Sequence, residues 1–509
     1  MRTIVAISLL LAVAACDKNE GAAKPAPSAA AATPVGSSTI SGASAKPLSE
    51  IAVTTSSPEA LEAYKLGFDQ FINGHVDEAR EQFKKADALD PKFLSAKAME
   101  GAATPGAEGV RKLADAIAQA SGLPESERVH LQLEEALVIH DTAKSVELGK
   151  KLVLAAPAAW LAHFLYGRAL TGFGKRDEAQ IALKKATELE PTAGLPYNDL
   201  AYNELVLGKA DDAVTHFKKY AELAPKEANA QDSLGEALLM TGNYDDAEAA
   251  FKKAIDLNAK FLAAWEGLGM VRFYKGDWAG AYDALGKLRD AAPTADEKGW
   301  ALHDTMWGQL AQGKAADAAK TLDAWDAEVA KAKDDSAGVW VAMHRAGLAL
   351  ETKKEADTLK QLATLGDKIE KIEAPAAKKL RWKAYVRAIE IVAESRLAKK
   401  AEAEKTLAAV QELVGTSDDA ELKGILAFAQ GEAAITKGDA KAAVDAFAGC
   451  TVVDDYCAWE RAKALDKAGD KAGAAAARDK LQKTHRRDGQ SFFVWSKVAP
   501  APTATDAKK

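Results

Sequence analysis

The stretch "NYDDAEAAFKKAIDLNAKF", residues 243–261, carries small side chains at helical spacing. Ala247, Ala250 and Ala254 recur three and four positions apart, and Phe251 lies between them. This spacing places the four side chains on one face of an α-helix. Because alanine occupies positions where a surface helix usually buries leucine or isoleucine, we expect a neighbouring helix to approach this face closely.

The same pattern recurs at a fixed period along the chain. Phe251 and Phe217 are 34 residues apart, and Leu183 and Leu285 occupy the equivalent place one step further in each direction. Small residues keep the same register in these units, and glycines precede each second helix. Four consecutive units without an insertion indicate a repeat array rather than a non-repeating helical domain.

This 34-residue pattern resembles the tetratricopeptide repeat (TPR), in which leucine–glycine, alanine, phenylalanine, alanine and proline occupy fixed positions. The unit Ala60–Phe93 fits it with Leu66-Gly67, Ala79, Phe83, Ala86 and Pro91. The resemblance implies an all-α fold, in which helical hairpins stack into a right-handed superhelical solenoid. It also implies that glycine at the turn between helices, as at Gly242 and Gly276, adopts a left-handed backbone.

The composition of the first residues, and the quality of the match to the repeat further along, predict how the chain divides into segments. The predicted segments are a signal peptide (1–15), an Ala/Ser/Pro-rich flexible tether (16–56), an N-terminal TPR array (57–298) with a divergent part (94–159), divergent hairpins (299–423), C-terminal TPR-like repeats (424–484) and a C-terminal tail (485–509).

The first residues, "MRTIVAISLLLAVAAC", combine a basic Arg2 with a short apolar run and small residues before Cys16. The apolar run is too short for a permanent membrane span, but it fits a secretory signal. Val13-Ala14-Ala15-Cys16 resembles the lipobox of bacterial lipoproteins, which implies cleavage before Cys16 and acylation of that cysteine. The alternative is an ordinary signal peptide that is cleaved elsewhere.

Composition and motifs disfavour two broad functions. The net charge of −7, with both signs interspersed, argues against a nucleic-acid binder, which would present a basic face. The eight histidines are scattered, and no zinc-protease, nucleophile-elbow or phosphate-loop motif appears. We therefore expect a non-enzymatic protein without a cofactor.

Two cysteines remain once Cys16 is assigned to the anchor. Cys450 and Cys457 form an even pair, and secretion would expose them to an oxidising compartment. The pair predicts a disulfide bond, and the alternative is two buried thiols. A zinc site is excluded because it needs more ligands than this pair supplies.

The TPR resemblance also implies a concave groove lined by fixed positions of each first helix. In this chain those positions are Phe164, Arg168, Asn198, Tyr202, Asp232, Glu236, Glu266, Met270, Phe273 and Tyr274. Three carboxylates beside aromatic and methionine side chains suit a basic partner that carries an apolar anchor. The alternative is an acidic face that is merely solvated.

These expectations combine into one function and one rival. The first is a lipid-anchored scaffold or adaptor in the bacterial cell envelope, at the inner or outer membrane, that binds a protein or peptide. The rival resembles outer-membrane lipoproteins that capture glycans with a TPR-like helical body. Those relatives insert long non-repeat segments for their ligand, and this chain contains no such segment.

Overall fold

A computed structural model describes residues 37–39, 51–417, 419–450 and 454–499. The predicted signal peptide, Cys16 and most of the tether lie outside the described residues, as does the chain after residue 499. The described chain is all-α apart from one short strand pair, and it divides into two compact units between Pro225 and Lys226. The array predicted at 57–298 is therefore shared between the two units.

The N-terminal unit opens with strands β1 (Ser37–Thr39) and β2 (Ala52–Thr54), which pair antiparallel. Its helices are α1 (Pro58–Ile72), α2 (Val76–Leu89), α3 (Leu94–Ala102), α4 (Gly106–Ala118), α5 (Glu125–Val138), α6 (Thr142–Ala155), α7 (Trp160–Gly172), α8 (Arg176–Leu189), α9 (Gly194–Val206) and α10 (Ala210–Leu223), with a 3-10 turn at Ala120–Gly122.

The folded body begins earlier than the sequence predicts. Ile51 and Val53 are buried in the core of the N-terminal unit, although we expected a flexible tether up to residue 56. The N–H and the hydroxyl of Thr54 both donate to the buried Glu127 carboxylate, at 2.9 and 2.6 Å. These apolar and polar contacts hold the segment in place, so the chain from Ile51 onward belongs to the folded N-terminal unit and not to the predicted tether.

The C-terminal unit consists of helices only, within its described residues. They are α11 (Ala228–Met240), α12 (Tyr244–Leu257), α13 (Leu262–Tyr274), α14 (Trp278–Ala291), α15 (Ala295–Ala311), α16 (Ala315–Ala332), α17 (Asp335–Glu351), α18 (Glu355–Leu362), α19 (Leu365–Lys371), α20 (Ala376–Arg396), α21 (Lys400–Val414), α22 (Ala420–Lys437), α23 (Ala440–Ala448), α24 (Asp454–Lys467), α25 (Lys471–Gln482) and α26 (Gly489–Val498).

The small residues of the opening stretch serve the close approach that their spacing predicts. Phe251 of α12 is fully buried, and it fits only because α11 and α13 present glycine to it. A Cβ atom on Gly235 would lie 2.8 Å from the Phe251 ring, and one on Gly267 would lie 2.3 Å from it. Alanine at positions 247 and 254, fully buried, completes the contact surface.

Turns between paired helices use the left-handed backbone that the repeat requires. Gly242 and Gly276 have φ values of +78° and +76°, a region that costs other residues conformational energy. The N–H of Gly242 donates to the carbonyl of Leu239 at 2.9 Å, and this bond closes the end of α11. The predicted role of these glycines is confirmed.

The end of the chain is not a simple tail. Residues 489–498, which we expected within a tail at 485–509, form α26. This helix packs against α15 and α13, and also against α24 and α25. Phe492, Phe493 and Val494 are all buried in the docked helix. Removal of these apolar side chains from water stabilises the docking.

Candidate peptide-binding site

Three carboxylates of the C-terminal unit converge on one arginine. Asp232 and Glu236 are four residues apart and therefore share one face of α11, while Glu266 projects from α13. The Arg487 guanidinium lies 2.9 Å from the Asp232 carboxylate, 3.8 Å from Glu236 and 3.6 Å from Glu266. All four side chains are at most 10 % exposed, so the pairing takes place away from solvent.

Burial and pairing act against each other on these charges. Burial alone lowers the pKa of Arg487, but Asp232, Glu236 and Glu266 raise it, and the net result is a pKa well above the usual value. Burial raises the pKa of Asp232 more than Arg487 lowers it. Arg487 therefore remains a cation, and its charge offsets part of the cost of burying the three carboxylates in this low-dielectric environment.

An aromatic surface adjoins the carboxylates at the end of α13. Phe492 of α26 stacks on Phe273 with ring centroids 5.1 Å apart and packs edge-on against Tyr274, also at 5.1 Å. The Tyr274 hydroxyl donates to the carbonyl of Arg486 at 3.2 Å and accepts from its N–H at 3.0 Å. Tyr274 therefore contacts both the backbone of Arg486, next to Arg487, and the ring of Phe492.

Helix α15 contacts the N-terminal half of α26. The N–H of Gly489 donates to Asp304 Oδ1 at 3.0 Å, and Phe493 packs on Trp307 with centroids 5.1 Å apart. A Cβ atom at position 489 would lie 2.8 Å from the Cα atom of Asp304, so only glycine allows this approach. Asp488 caps the helix by accepting from the N–H of Ser491 at 2.8 Å.

We define the acidic–aromatic face as Asp232, Glu236, Glu266, Phe273 and Tyr274, and the C-terminal segment as residues 484–498. The face consists of five of the ten predicted groove residues. The expectation that it is open to solvent needs correction, because the C-terminal segment covers it. A sixth predicted residue, Met270, is fully buried within α13 and contributes to the core.

The other four predicted groove residues lie in the N-terminal unit, on α7 and α9. Arg168 lies over the Phe164 ring at 5.6 Å and 3.4 Å from the Asp199 carboxylate, to which Asn198 also donates at 3.0 Å. Tyr202 packs edge-on against Phe217 at 4.8 Å. The Arg168–Asp199 pair joins two neighbouring hairpins, whereas the Tyr202–Phe217 contact lies within one hairpin.

Sequence analysis missed the residues that fill the face. Arg487, Gly489, Phe492 and Phe493 belong to "HRRDGQSFFVW", residues 485–495. That stretch combines a basic pair, a helix-capping aspartate and clustered aromatic residues. Its basic and aromatic residues match the partner expected for the groove. This match could have identified the segment from the sequence.

The two remaining cysteines are paired, and the described residues contain neither a metal cluster nor a membrane-spanning helix. Cys450 and Cys457 are bonded to each other, with Cα atoms 6.2 Å apart. Among the described residues, no three side chains of His, Cys, Asp or Glu are placed to hold a metal ion. Over the same residues, every helix is too short or too polar to cross a membrane.

Comparison with protein families identifies the repeats. Residues 198–260 and 241–296 match one tetratricopeptide-repeat family, and residues 162–192 match another. These segments are helical hairpins in the structure, so they are tetratricopeptide repeats and the fold is a TPR-type hairpin array. Comparison with curated protein sequences finds no match.

Several solved structures are similar to parts of the chain at low sequence identity. A tetratricopeptide repeat protein from Parabacteroides merdae is 15 % identical over 52 % of this chain and 98 % of its own, with a TM-score of 0.40. PilW, described as a widely conserved type IV pilus biogenesis factor, is 18 % identical over 40 % and 92 %, with a TM-score of 0.36. YrrB, described as a TPR protein with an unusual peptide-binding site, is 19 % identical over 38 % and 96 %, with a TM-score of 0.31.

Proposed function

We propose that this chain is a non-enzymatic adaptor, lipid-anchored in the bacterial cell envelope, that binds a protein segment on its acidic–aromatic face. The anchor is proposed from the lipobox-like Val13-Ala14-Ala15-Cys16. The binding function is proposed from the repeats, because stacked helical hairpins recognise peptides and helices with the side chains of their first helices.

One observation carries the binding function. The acidic–aromatic face already holds a polypeptide segment in which an arginine precedes an aromatic helix, and Arg487 alone contacts three carboxylates there. Charge complementarity fixes which residue can enter, and the neighbouring aromatic rings supply apolar area. A surface with both properties suits a basic segment that carries an aromatic anchor.

Photo-crosslinking in intact cells tests the binding function. Tyr244 borders the face, since its ring lies 5.8 Å from Tyr274, and p-benzoylphenylalanine at this position keeps the first ring and places a photoreactive benzoyl group in place of the hydroxyl. We expect crosslinks from position 244 to a distinct envelope protein, and none from position 181, where Ile181 is 73 % exposed on α8. Equal crosslinking from both positions would mean that the face is not the binding surface.

Membrane flotation tests the anchor separately. Replacing Cys16 by alanine removes the sulfur that would be acylated, and we expect the variant to leave the membrane fraction. A variant that floats with membranes as the unmodified chain does would remove the anchor from the proposal. The binding function would be unaffected by that result.

A further inference from the structure

We propose that the partner of the acidic–aromatic face carries the same pattern as the C-terminal segment, and that this segment competes with it for the face. The pattern is an arginine followed by a capped short helix, with glycine two positions and aromatic residues five and six positions after the arginine. This inference rests on the proposed function, and it specifies both the partner's chemistry and how access is controlled.

The C-terminal segment has the properties of a complete ligand. Within ten residues it supplies a buried cation at Arg487, a glycine that contacts Asp304, and two aromatic anchors at Phe492 and Phe493. It contacts α11, α13 and α15, the first helices of three successive hairpins. Those helices are the ones with which TPR arrays recognise peptides.

The position of α26 allows the segment to leave without unfolding a repeat. The other long helices of the unit pack as consecutive pairs, whereas α26 follows the last pair, α24 and α25, and docks on α15. A single connection, residues 483–488, links it to α25. Its release therefore rotates one linker and leaves every hairpin paired.

The chemistry of the contact favours exchange over permanent closure. A buried ion pair contributes selectivity more than net stability, because removing the charges from water offsets much of their attraction. Release restores water to Arg487 and to the three carboxylates together. A partner arginine can then make the same contacts that Arg487 makes.

Covalent linkage gives the C-terminal segment an advantage over a free ligand. Short flexible connections create effective concentrations on the order of millimolar, so a free peptide of the same sequence must compete against that value. Weakening the attached segment should therefore increase the apparent affinity of the free peptide. The full-length chain, in which the segment is attached, allows the affinity of the free peptide to be compared before and after the segment is weakened.

The test uses a fluorescent peptide with the sequence of residues 483–499 and the full-length chain. Arg487→Glu in the chain places a fourth carboxylate among three and should open the face. We expect this variant to bind the peptide at least about tenfold more tightly than the unmodified chain does. The matched control, Arg461→Glu, makes the same substitution at an exposed position of α24, outside the C-terminal segment, and should behave as the unmodified chain.

Peptide variants test the pattern itself. A peptide with Arg487→Glu and Phe492→Ala should not bind the opened chain, whereas one with Lys483→Glu, an exposed position before the C-terminal segment, should bind it. If a folded Arg487→Glu chain binds the original peptide no better than the unmodified chain does, the face is not exchangeable and the inference is wrong. Concentration-dependent dimerisation of the unmodified chain, abolished by Arg487→Glu, would identify the occupant as a second copy and overturn a separate partner.

Hydrogen exchange of the unmodified chain provides a measurement that does not depend on the folding of a variant. Amides of residues 490–498 should exchange at least about tenfold faster than those of residues 300–308 in α15, because local release exposes them. Equal protection of the two helices would show that α26 opens only with the whole unit, and would overturn the inference. Crosslinks from position 244 to an envelope protein that do not change in the Arg487→Glu chain would leave the proposed function standing without this control.

Discussion

Arg487 Nη1 lies 2.9 Å from Asp232 Oδ2, although 255 residues separate the two in sequence, and both side chains are almost completely buried. The pair fastens the last described helix of the chain to the first helix of the C-terminal unit. It also occupies the face that the repeat pattern assigns to a binding partner. The stability of this pair, and the ease with which another arginine can replace Arg487, therefore decide whether a partner can reach the face.

Arg487→Met should destabilise the C-terminal unit, because it leaves three carboxylates without their cation. We expect a loss of at most about 3 kcal/mol, since the segment can detach and allow water to reach them. Urea denaturation followed by tryptophan fluorescence measures this, because nine of the ten tryptophans follow residue 225. The control Arg461→Met, at an exposed position of α24, should change the free energy of unfolding by less than about 0.5 kcal/mol, and a similar loss in both variants would contradict the assignment.

Gly489→Ala should weaken the docking of α26, because its Cβ atom would lie 2.8 Å from the backbone of α15 at Asp304. The expected loss is about 1–3 kcal/mol, the usual cost of overpacking a close contact. Gly347→Ala in α17 is the matched control, since nothing lies within 4 Å of its added methyl group. That control should be neutral or stabilising by up to about 1 kcal/mol, and the same denaturation curves compare the two.

Glu432 should make the stability of the C-terminal unit depend on pH. Burial, and the nearby Glu460, raise the pKa of Glu432 to about 8, while Lys463 and Arg396 oppose that shift. A carboxyl group with a raised folded pKa stabilises below its ordinary pKa of 4.5, and this contribution is lost as the pH rises towards 8. Glu432→Gln, which stays neutral, should remove a decline of at most about 1.4 kcal/mol per pH unit.

Denaturation of both proteins between pH 5 and pH 8 measures that difference. Glu404→Gln, at an exposed position of α21, controls for the loss of a carboxylate. Parallel pH profiles for the unmodified chain and Glu432→Gln would contradict the expectation.

A bond between Cys450 and Cys457 remains a prediction for the protein isolated from cells. Trypsin should release both cysteines in one peptide, residues 442–461, whose non-reduced mass is lower by two hydrogen atoms when the bond is present. Closing this short loop should stabilise by about 2.5 kcal/mol on loop entropy alone. Quantitative alkylation of both thiols without prior reduction would rule the bond out.

Local spacing predicted the hairpins but not the closure of the face. The contact of Phe251 with Gly235 and Gly267 follows from a repeat of 34 residues, so its pattern is visible within one unit. The contact of Arg487 with Asp232 is not part of the 34-residue pattern, because the two residues belong to different, distant segments of the chain. The chain contains 74 acidic residues, and nothing in their spacing indicates which of them a distant arginine selects.

The start of the folded body was misplaced for a related reason. Ile51 and Val53 follow a long Ala/Ser/Pro-rich stretch, and two apolar residues alone do not predict a strand. Their burial depends on Glu127, a residue of α5 more than 70 positions away. Its carboxylate accepts hydrogen bonds from the N–H and the hydroxyl of Thr54. Both errors concern contacts that are remote in sequence.

Crosslinking in the opened chain tests the central claim most directly. With p-benzoylphenylalanine at position 244, we expect the Arg487→Glu chain to form several-fold more adducts with the envelope protein than the otherwise unmodified chain. The peptide of residues 483–499 should compete for these adducts in solubilised envelopes, and its Arg487→Glu, Phe492→Ala form should not. Adduct yields that are equal in the two chains, or that neither peptide reduces, would contradict the claim that the partner and the C-terminal segment share the acidic–aromatic face.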